Sequence, residues 1–317
     1  MIASAQVLQY VVDSIAYGSL FALMALALSL LFGVMGLMNF AFGELIMVGA
    51  YVMYYTRPWG VVPMIVLTII GVVVLSVVLE LVAFRPVRHA SPMTLLATSF
   101  AVSYALQQLA FMTVGQGLNK GLEPYPWTTA QHELLGVRFS NLQLVTIVVV
   151  LVLLAGLTAI MRRTTLGMQL RASTEDVTMA QLVGVRPNRV ISSAFAITGL
   201  LAGAVTILYV MGSGSVSPDM GQGPLLIAFV GVVIGGLGGL GSAAFGGFIL
   251  GFMLNLLQSA LPTSVNRYTE VLAFLFVIAI LVLRPDGLMG AARDLRRRLR
   301  SSAPPVQADV AQPEASA

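Results

Sequence analysis

The 317-residue chain is 58% hydrophobic and only 9% charged, with a mean hydropathy of +0.92 and a formal net charge of +4. Such values lie far from those of soluble globular chains and place it among integral membrane proteins. Without cysteine it has no disulfide, thiol nucleophile, iron–sulfur or zinc–thiolate site, which removes much of enzymology.

A hydrocarbon core about 30 Å thick needs roughly 20 apolar residues at about 1.5 Å rise each. The sequence offers eight or nine such segments, near residues 8–32, 40–56, 61–83, 93–114, 141–161, 190–211, 224–237, 243–261 and 268–284. Lipid gives backbone N–H and C=O groups no partners, and no ten-residue barrel alternation is visible, so the predicted fold is all-α and polytopic. The first run, from Val7 to Phe32, carries Asp13, is too long for a signal peptide and lacks its cleavage site, so it reads as a retained span. The segment 224–237 is short for a crossing and reads as either crossing or re-entrant.

Few ionisable residues fall inside these segments. Asp13, Glu80 and Glu270 sit close enough to segment ends to reach the interface. Glu44 lies one turn into the second segment, where it serves either a helix N-terminus or a substrate path. A proton- or sodium-driven carrier uses intramembrane ionic relays, and an ion channel uses charged or carbonyl rings. Their scarcity points to another energy source.

Basic residues set the orientation. Arg85, Arg88, Arg162, Arg163, Arg171, Arg186, Arg189, Arg284, Arg293, Arg296, Arg297, Arg298 and Arg300 fall on one side, and Arg57, Lys120, Arg138 and Arg267 on the other. The loop 162–189 and the C-terminus are therefore expected to be cytoplasmic, with the loop from Gly115 to Asn141 outside. If all nine segments cross, the N-terminus is outside. Residues 1–290 form the predicted transmembrane domain. Residues 291–317 form a basic juxtamembrane segment and an Ala-, Pro- and Ser-rich tail expected to be disordered.

Glycines recur four apart at Gly199 and Gly203, at Gly231, Gly235 and Gly239, and at Gly247 and Gly251, the spacing that lets helix backbones approach closely. Gly236-Leu-Gly238-Gly-Leu-Gly241 matches a dinucleotide fingerprint by letters alone, since no strand or βαβ unit surrounds it. More informative is the pairing of Gly36-Leu-Met-Asn39-Phe-Ala-Phe42-Gly43-Glu44-Leu-Ile46 with Gly239-Leu-Gly-Ser242-Ala-Ala-Phe245-Gly246-Gly-Phe-Ile249, identical at six of eleven positions. Each copy puts an N-cap residue, Asn39 or Ser242, before an Ala-Phe-Gly helix start. The match is either chance similarity in apolar sequence or an internal repeat. Repeats with broken segments mark substrate paths in transporters, so Asn39, Phe42, Gly43, Glu44, Ser242, Phe245 and Gly246 are the candidate path residues.

Between residues 162 and 189 the chain is short, charged and capped. Ser173-Thr-Glu175-Asp176 has the form of a capping box with negative charge in the first turn, and Gly184 with Pro187 supplies a stop. About ten residues of helix are marginal alone, so this one must pack on something. Arg171 either meets a carboxylate at an interface or anchors the loop at the membrane. No Walker A loop is present, because the single lysine, Lys120, stands between Asn119 and Gly121. His89 and His132 fall in loops on opposite sides, and no catalytic or metal constellation is visible. The chain is therefore expected to be no enzyme and to hold no cofactor, any ATP being hydrolysed by a partner.

Three stretches, taken in order, carry a resemblance. They are Gly36-Leu-Met-Asn39-Phe-Ala-Phe-Gly43-Glu44 with Met47 and Gly49-Ala-Tyr51; Leu170-Arg171-Ala172 with Glu175, Asp176, Ala180 and Gly184; and Gly235-Gly-Leu-Gly-Gly-Leu-Gly-Ser242. Over about residues 10–290 the chain resembles the permease subunits of branched-chain amino acid ABC transporters. The resemblance implies a bacterial inner-membrane location and, as partners, cytoplasmic ATP-binding subunits, a second homologous permease, a periplasmic or lipid-anchored substrate-binding protein and membrane lipid, with no nucleic acid. It also implies that the helix 171–184, with Arg171, Ala172, Glu175, Asp176, Ala180 and Gly184, couples to the ATPase. Where the family commonly has Asn-Phe-Ala-His-Gly, this chain has Phe42, which removes a polar role there. Urea and short-amide permeases share the architecture, and an ion-coupled secondary carrier is the alternative of a different class.

Overall fold

A computed structural model describes residues 2–36, 39–88, 90–114, 120–123, 125–134, 137–175, 177–236 and 239–261, with five positions between 271 and 282. Its helices of six or more residues are α1 (Ile2–Met35), α2 (Phe42–Thr56), α3 (Val61–Val87), α4 (Pro92–Val114), α5 (Asn141–Arg163), α6 (Thr165–Glu175), α7 (Val177–Leu182), α8 (Pro187–Ser213), α9 (Gln222–Gly235) and α10 (Leu240–Ala260). Six of these, α1, α3, α4, α5, α8 and α10, are long and apolar enough to cross a membrane. Of the expected segment 268–284 only five positions are described, all helical; His89, Lys120's side chain and the tail 291–317 lie outside the described residues. The loop after α4 contains strands the sequence reading missed. A hairpin pairs Gln131–Leu134 with Val137–Ser140, and Lys120–Gly121 pairs with Ser215–Val216.

Two ends of the helix bundle differ in charge. Arg85, Arg88, Arg162, Arg163, Arg171, Arg186 and Arg189 cluster with the C-terminal end of α1 and the helices α6 and α7. The hairpin, Arg57, Lys120 and Arg138 lie with the N-terminal end of α1. At that hairpin end the Gln9 amide donates to Asp13 at 2.9 Å and the Gln143 amide donates to the same Asp13 oxygen at 2.7 Å, tying α1 to α5.

Close packing follows the glycines. Gly18, Gly247 and Gly251 bring α1 and α10 together antiparallel: a Cβ on Gly247 would lie 2.5 Å from the Phe21 carbonyl oxygen. Gly199 and Gly203 do the same for α8 and α3, a Cβ on Gly199 falling 2.8 Å from the Val73 Cα. These are the two long-helix pairs that frame the molecule.

The same framing exposes an inverted repeat. α1, α2 and α3 in the first half correspond to α8, α9 and α10 in the second, and the halves run in opposite directions. Each long helix ends on a left-handed glycine, Gly36 at φ 71° and Gly214 at φ 65°. A short helix follows, then a second left-handed glycine, Gly60 at φ 101° or Gly236 at φ 93°. This corrects the repeat read from letters: residues 36–46 correspond in the fold to the stretch after Gly214, not to 239–249. It also explains the short segments. α2 has 15 residues and α9 has 14, about 22 and 21 Å at 1.5 Å per residue, less than the core thickness. Both begin inside the bundle and run to opposite ends, so 40–56 and 224–237 are partial crossings completed by their extended lead-ins.

The two short helices meet at their starts. A Cβ on Gly221 would lie 2.0 Å from the Gly43 carbonyl oxygen, and one on Gly43 would lie 2.8 Å from that of Gly221. Gly223, half a turn further on, has nothing within 4 Å. Gly221→Ala is therefore expected to lower stability by at least about 1–3 kcal/mol, seen as a lower melting midpoint of the purified protein in detergent. Gly223→Ala is expected to leave that midpoint unchanged or raise it.

Candidate functional site

The crossing of α2 and α9 gathers four of the seven candidate path residues. Asn39, 2% exposed, accepts a hydrogen bond from the Ala41 N–H on its side-chain oxygen at 3.0 Å, turning the chain into α2. Phe42 is fully buried in the main apolar core. Gly43 touches Gly221 and Leu225. Glu44, 1% exposed, sits in the first turn of α2 and accepts a hydrogen bond from Ser103 Oγ at 2.9 Å on Oε1. Ser103 is at the centre of α4 (Pro92–Val114), so this carboxylate lies at mid-depth. Beside it Phe40 stacks on Phe100, with ring centroids 4.1 Å apart, and contacts Phe229 of α9 at 6.0 Å. The aromatic triad joins the lead-in of α2 to α4 and α9.

The other three candidates lie elsewhere. Ser242 is inside the first turn of α10, where its hydroxyl donates to the Gly236 and Gly239 carbonyl oxygens at 3.1 and 2.7 Å. It ties α9 to α10 and does not cap a helix as expected. Gly246 packs on Gly231 and Gly235, and Phe245 is 48% exposed on the outer surface. Sequence similarity to residues 39–44 thus reflects a helix start, not a shared site.

At the arginine-rich end, the single helix expected over 171–184 is two helices, α6 and α7. Thr164, not Ser173, begins the first: its hydroxyl accepts from the Gly167 N–H at 3.1 Å. Ser173 is buried within α6, and its hydroxyl has no partner among the described residues. Glu175 therefore ends α6 instead of opening a helix, and Asp176 lies outside the described residues. The genuine capping box is Ser140 with Gln143, where α5 starts. The stop at Gly184 stands as expected, with φ 90° and its N–H bonded to the Gln181 carbonyl. Arg171 is exposed, Ala172 half-buried and Ala180 buried. Leu170 and Thr174 hold α6 against the end of α1, Thr174 lying 3.4 Å from where a Gly33 Cβ would stand. Outward from this seat, Met168, Met179, Leu182 and Val183 are 61–80% exposed.

The same end holds an ion pair that the sequence reading left at the interface. Glu80, 1% exposed, pairs with Arg85 at 3.1 Å and accepts from Ser192 Oγ at 2.8 Å, while Arg88 bonds Asn188. These links clamp a π-helical turn of α3 to the start of α8. The signal available in the sequence was Glu80 five residues before Arg85, a spacing that fits a π turn better than an α turn. Among the described residues no group of three or more His, Asp or Glu could hold a metal ion.

A family profile for the permease component of branched-chain amino acid transport systems matches residues 10–281. The chain belongs to this permease family. It is 30% identical over 299 residues to the high-affinity branched-chain amino acid transport system permease protein BraD of Pseudomonas aeruginosa, covering 89% of this chain and 95% of that one. Identity is 29% over 296 residues to LivH of Escherichia coli K12, with the same coverage. It is 28% over 304 residues to the probable permease LivH of Methanocaldococcus jannaschii, covering 91% and 94%. No solved structure matches. In this permease Phe42 fills an apolar site, which accounts for the absence of a polar residue there.

Arg85→Ala would leave the Glu80 carboxylate buried without its cation. Because Arg85 is 36% exposed and solvent screens part of the pair, the expected loss is about 1–3 kcal/mol, larger than for Glu80→Gln. Thermal melting of the purified permease checks both.

Proposed function

We propose that this permease is the membrane subunit of an ABC importer for branched-chain amino acids, driven by separate ATP-binding subunits. The observation that carries the coupling role is the apolar tip of α6 and α7 at the arginine-rich end. Met168, Leu182 and Val183 are among the most exposed large apolar residues of the chain, beside Arg171 and outside any lipid-facing span. Surface patches of this kind are protein docking sites. A helix pair this short needs packing partners, and α6 already rests on α1. The remaining face fits a groove on an ATPase, as the family assignment leads one to expect.

The rest of the reading follows. The arginine-rich end is cytoplasmic by the distribution of basic residues, and the hairpin end receives the amino acid from a substrate-binding protein. A second permease subunit completes the path. ATP hydrolysis belongs to the partner, since this sequence has no Walker A loop. The relatives BraD and LivH are named high-affinity branched-chain amino acid transport permeases, which supports the substrate class. Movement of α6 reaches the crossing through the ends of α1 and α10: Gly33, Gly36, Arg171, Thr174, Gly239 and Leu240 line one cavity of about 580 Å³.

Co-purification tests the assignment. The detergent-extracted complex is expected to retain ATPase subunits, and leucine uptake into proteoliposomes is expected to need internal ATP. Uptake that follows an ion gradient without ATP contradicts it. Leu182→Asp with Val183→Asp is expected to cut ATPase co-purification at least ten-fold while the permease itself melts as wild type, both residues being solvent-exposed. Glu175→Arg with Asp176→Arg is expected to separate ATP hydrolysis from uptake, and normal uptake in that variant contradicts the coupling role.

A further inference from the structure

Three helices of the permease are equally bare. The apolar stretches of α3, α4 and α5 are each only 22% buried, yet that of α4 is much the least hydropathic of the three. Lipid suits the outer faces of α3 and α5, where Val66, Ile70 and Val74, and Val148, Leu151 and Val152, are exposed. On α4 the outer surface mixes the exposed Met93, Phe100, Leu109 and Met112 with Tyr104, 64% exposed, and the half-buried Gln107 and Gln108. Tyr104 and the two glutamines fall within five residues of the helix centre, less than about 8 Å along the axis. Hydrocarbon offers their amides and hydroxyl no hydrogen bonds. This face meets water or protein.

Behind it lies an unsatisfied acid. Glu44 Oε1 takes the Ser103 hydroxyl, but Oε2 is buried and has no hydrogen-bond partner among the described residues. The starting ends of α2 and α9 converge on it, and helix N-termini favour negative charge. No described Lys or Arg is near, because all of them sit at the two ends of the bundle. The missing donor is thus not among the described residues. One carboxylate and one serine oxygen are too few for a calcium or magnesium ion, which takes six or more oxygens. They suit a primary ammonium, with three N–H donors in a compact head.

We propose that the α4 face from Phe100 to Gln108 lines the substrate path and that Glu44 receives the ammonium group of the amino acid being moved. This rests on the amino acid permease reading above. Phe40 stacked on Phe100 lies beside the carboxylate, at the edge of this face.

The chain has no cysteine, which makes the test direct. Tyr104→Cys, Gln107→Cys and Gln108→Cys are compared with Val74→Cys on α3 and Val148→Cys on α5 in the complete transporter in proteoliposomes. The probe is a negatively charged methanethiosulfonate, with labelling of this subunit read by mass spectrometry. The α4 cysteines are expected to react at least ten-fold faster than the controls and to be slowed by leucine; equal rates overturn the path assignment. Glu44→Gln is expected to cut leucine uptake at least ten-fold, and Glu44→Asp to retain more than the amide does; equal losses reduce Glu44 to a structural residue. Where Glu44→Gln does not assemble, protection of Gln107→Cys by leucine but not by N-acetyl-leucine supports the ammonium site, and equal protection overturns it. A wild-type transporter that imports urea or short amides and not leucine overturns the substrate reading itself. Leucine import unchanged by Glu44→Gln overturns only the ammonium site.

Discussion

The contact between the starts of two short helices organises this protein. Gly43 and Gly221 bring α2 and α9 together backbone to backbone, closer than any side chain permits. Because the helices diverge from this point, their two positive ends face each other in a low-dielectric interior, an unfavourable arrangement unless negative charge lies between or beside them. Glu44 supplies it from the first turn of α2. Glycine at the crossing and a carboxylate one residue later are thus parts of one arrangement. Ser103 on α4 fixes the position of the acid.

From that centre the two halves build outward by the same devices. A left-handed glycine ends each long helix, the chain re-enters the bundle, and a short helix leads to a second left-handed glycine. The long helices then exchange partners across the repeat, α1 with α10 and α8 with α3, each seam close-packed at glycine. Without an apolar driving force between helices in lipid, close backbone approach and dispersion hold these seams. The polar clamps sit at the ends, with Asp13, Gln9 and Gln143 at the hairpin side and Glu80, Arg85 and Ser192 at the other. Ends clamped by hydrogen bonds and a centre held by small residues make a bundle in which displacement of α6 is felt at the crossing. α6 touches the turn of α1 that precedes Gly36, and its cavity is shared with the start of α10.

Several elements could be read from the sequence because their signals are local. The long apolar runs, the stop at Gly184 and the segregation of arginines depend on neighbours within a few residues and on the thickness of lipid. Other local signals misled. Ser173-Thr-Glu-Asp176 and Ser140-Asn-Leu-Gln143 are equivalent as capping patterns, yet the first lies inside a helix already begun at Thr164 and the second follows a strand. A capping motif states that a helix can start, and the preceding backbone decides whether it does. The letter-level repeat failed likewise: Phe42 and Phe245 share a motif, but one is fully buried and the other is 48% exposed.

Composition and periodicity by themselves determined that this chain is an all-α, multi-pass membrane protein with one basic end, and the order of its motifs pointed to a permease. Those properties follow from solvent, since the bilayer dictates which residues can be where. The true repeat was beyond the sequence, because Gly36–Gly43 and Gly214–Gly221 share only their end glycines and their seven-residue spacing. Only the tertiary structure decided that α2 and α9 meet start to start, that Glu44 and not Ser242 lies at the crossing, and that Ser103 of α4 is its partner. Such pairings join residues 59 or more positions apart, and they are set by close packing in three dimensions, which no local pattern records.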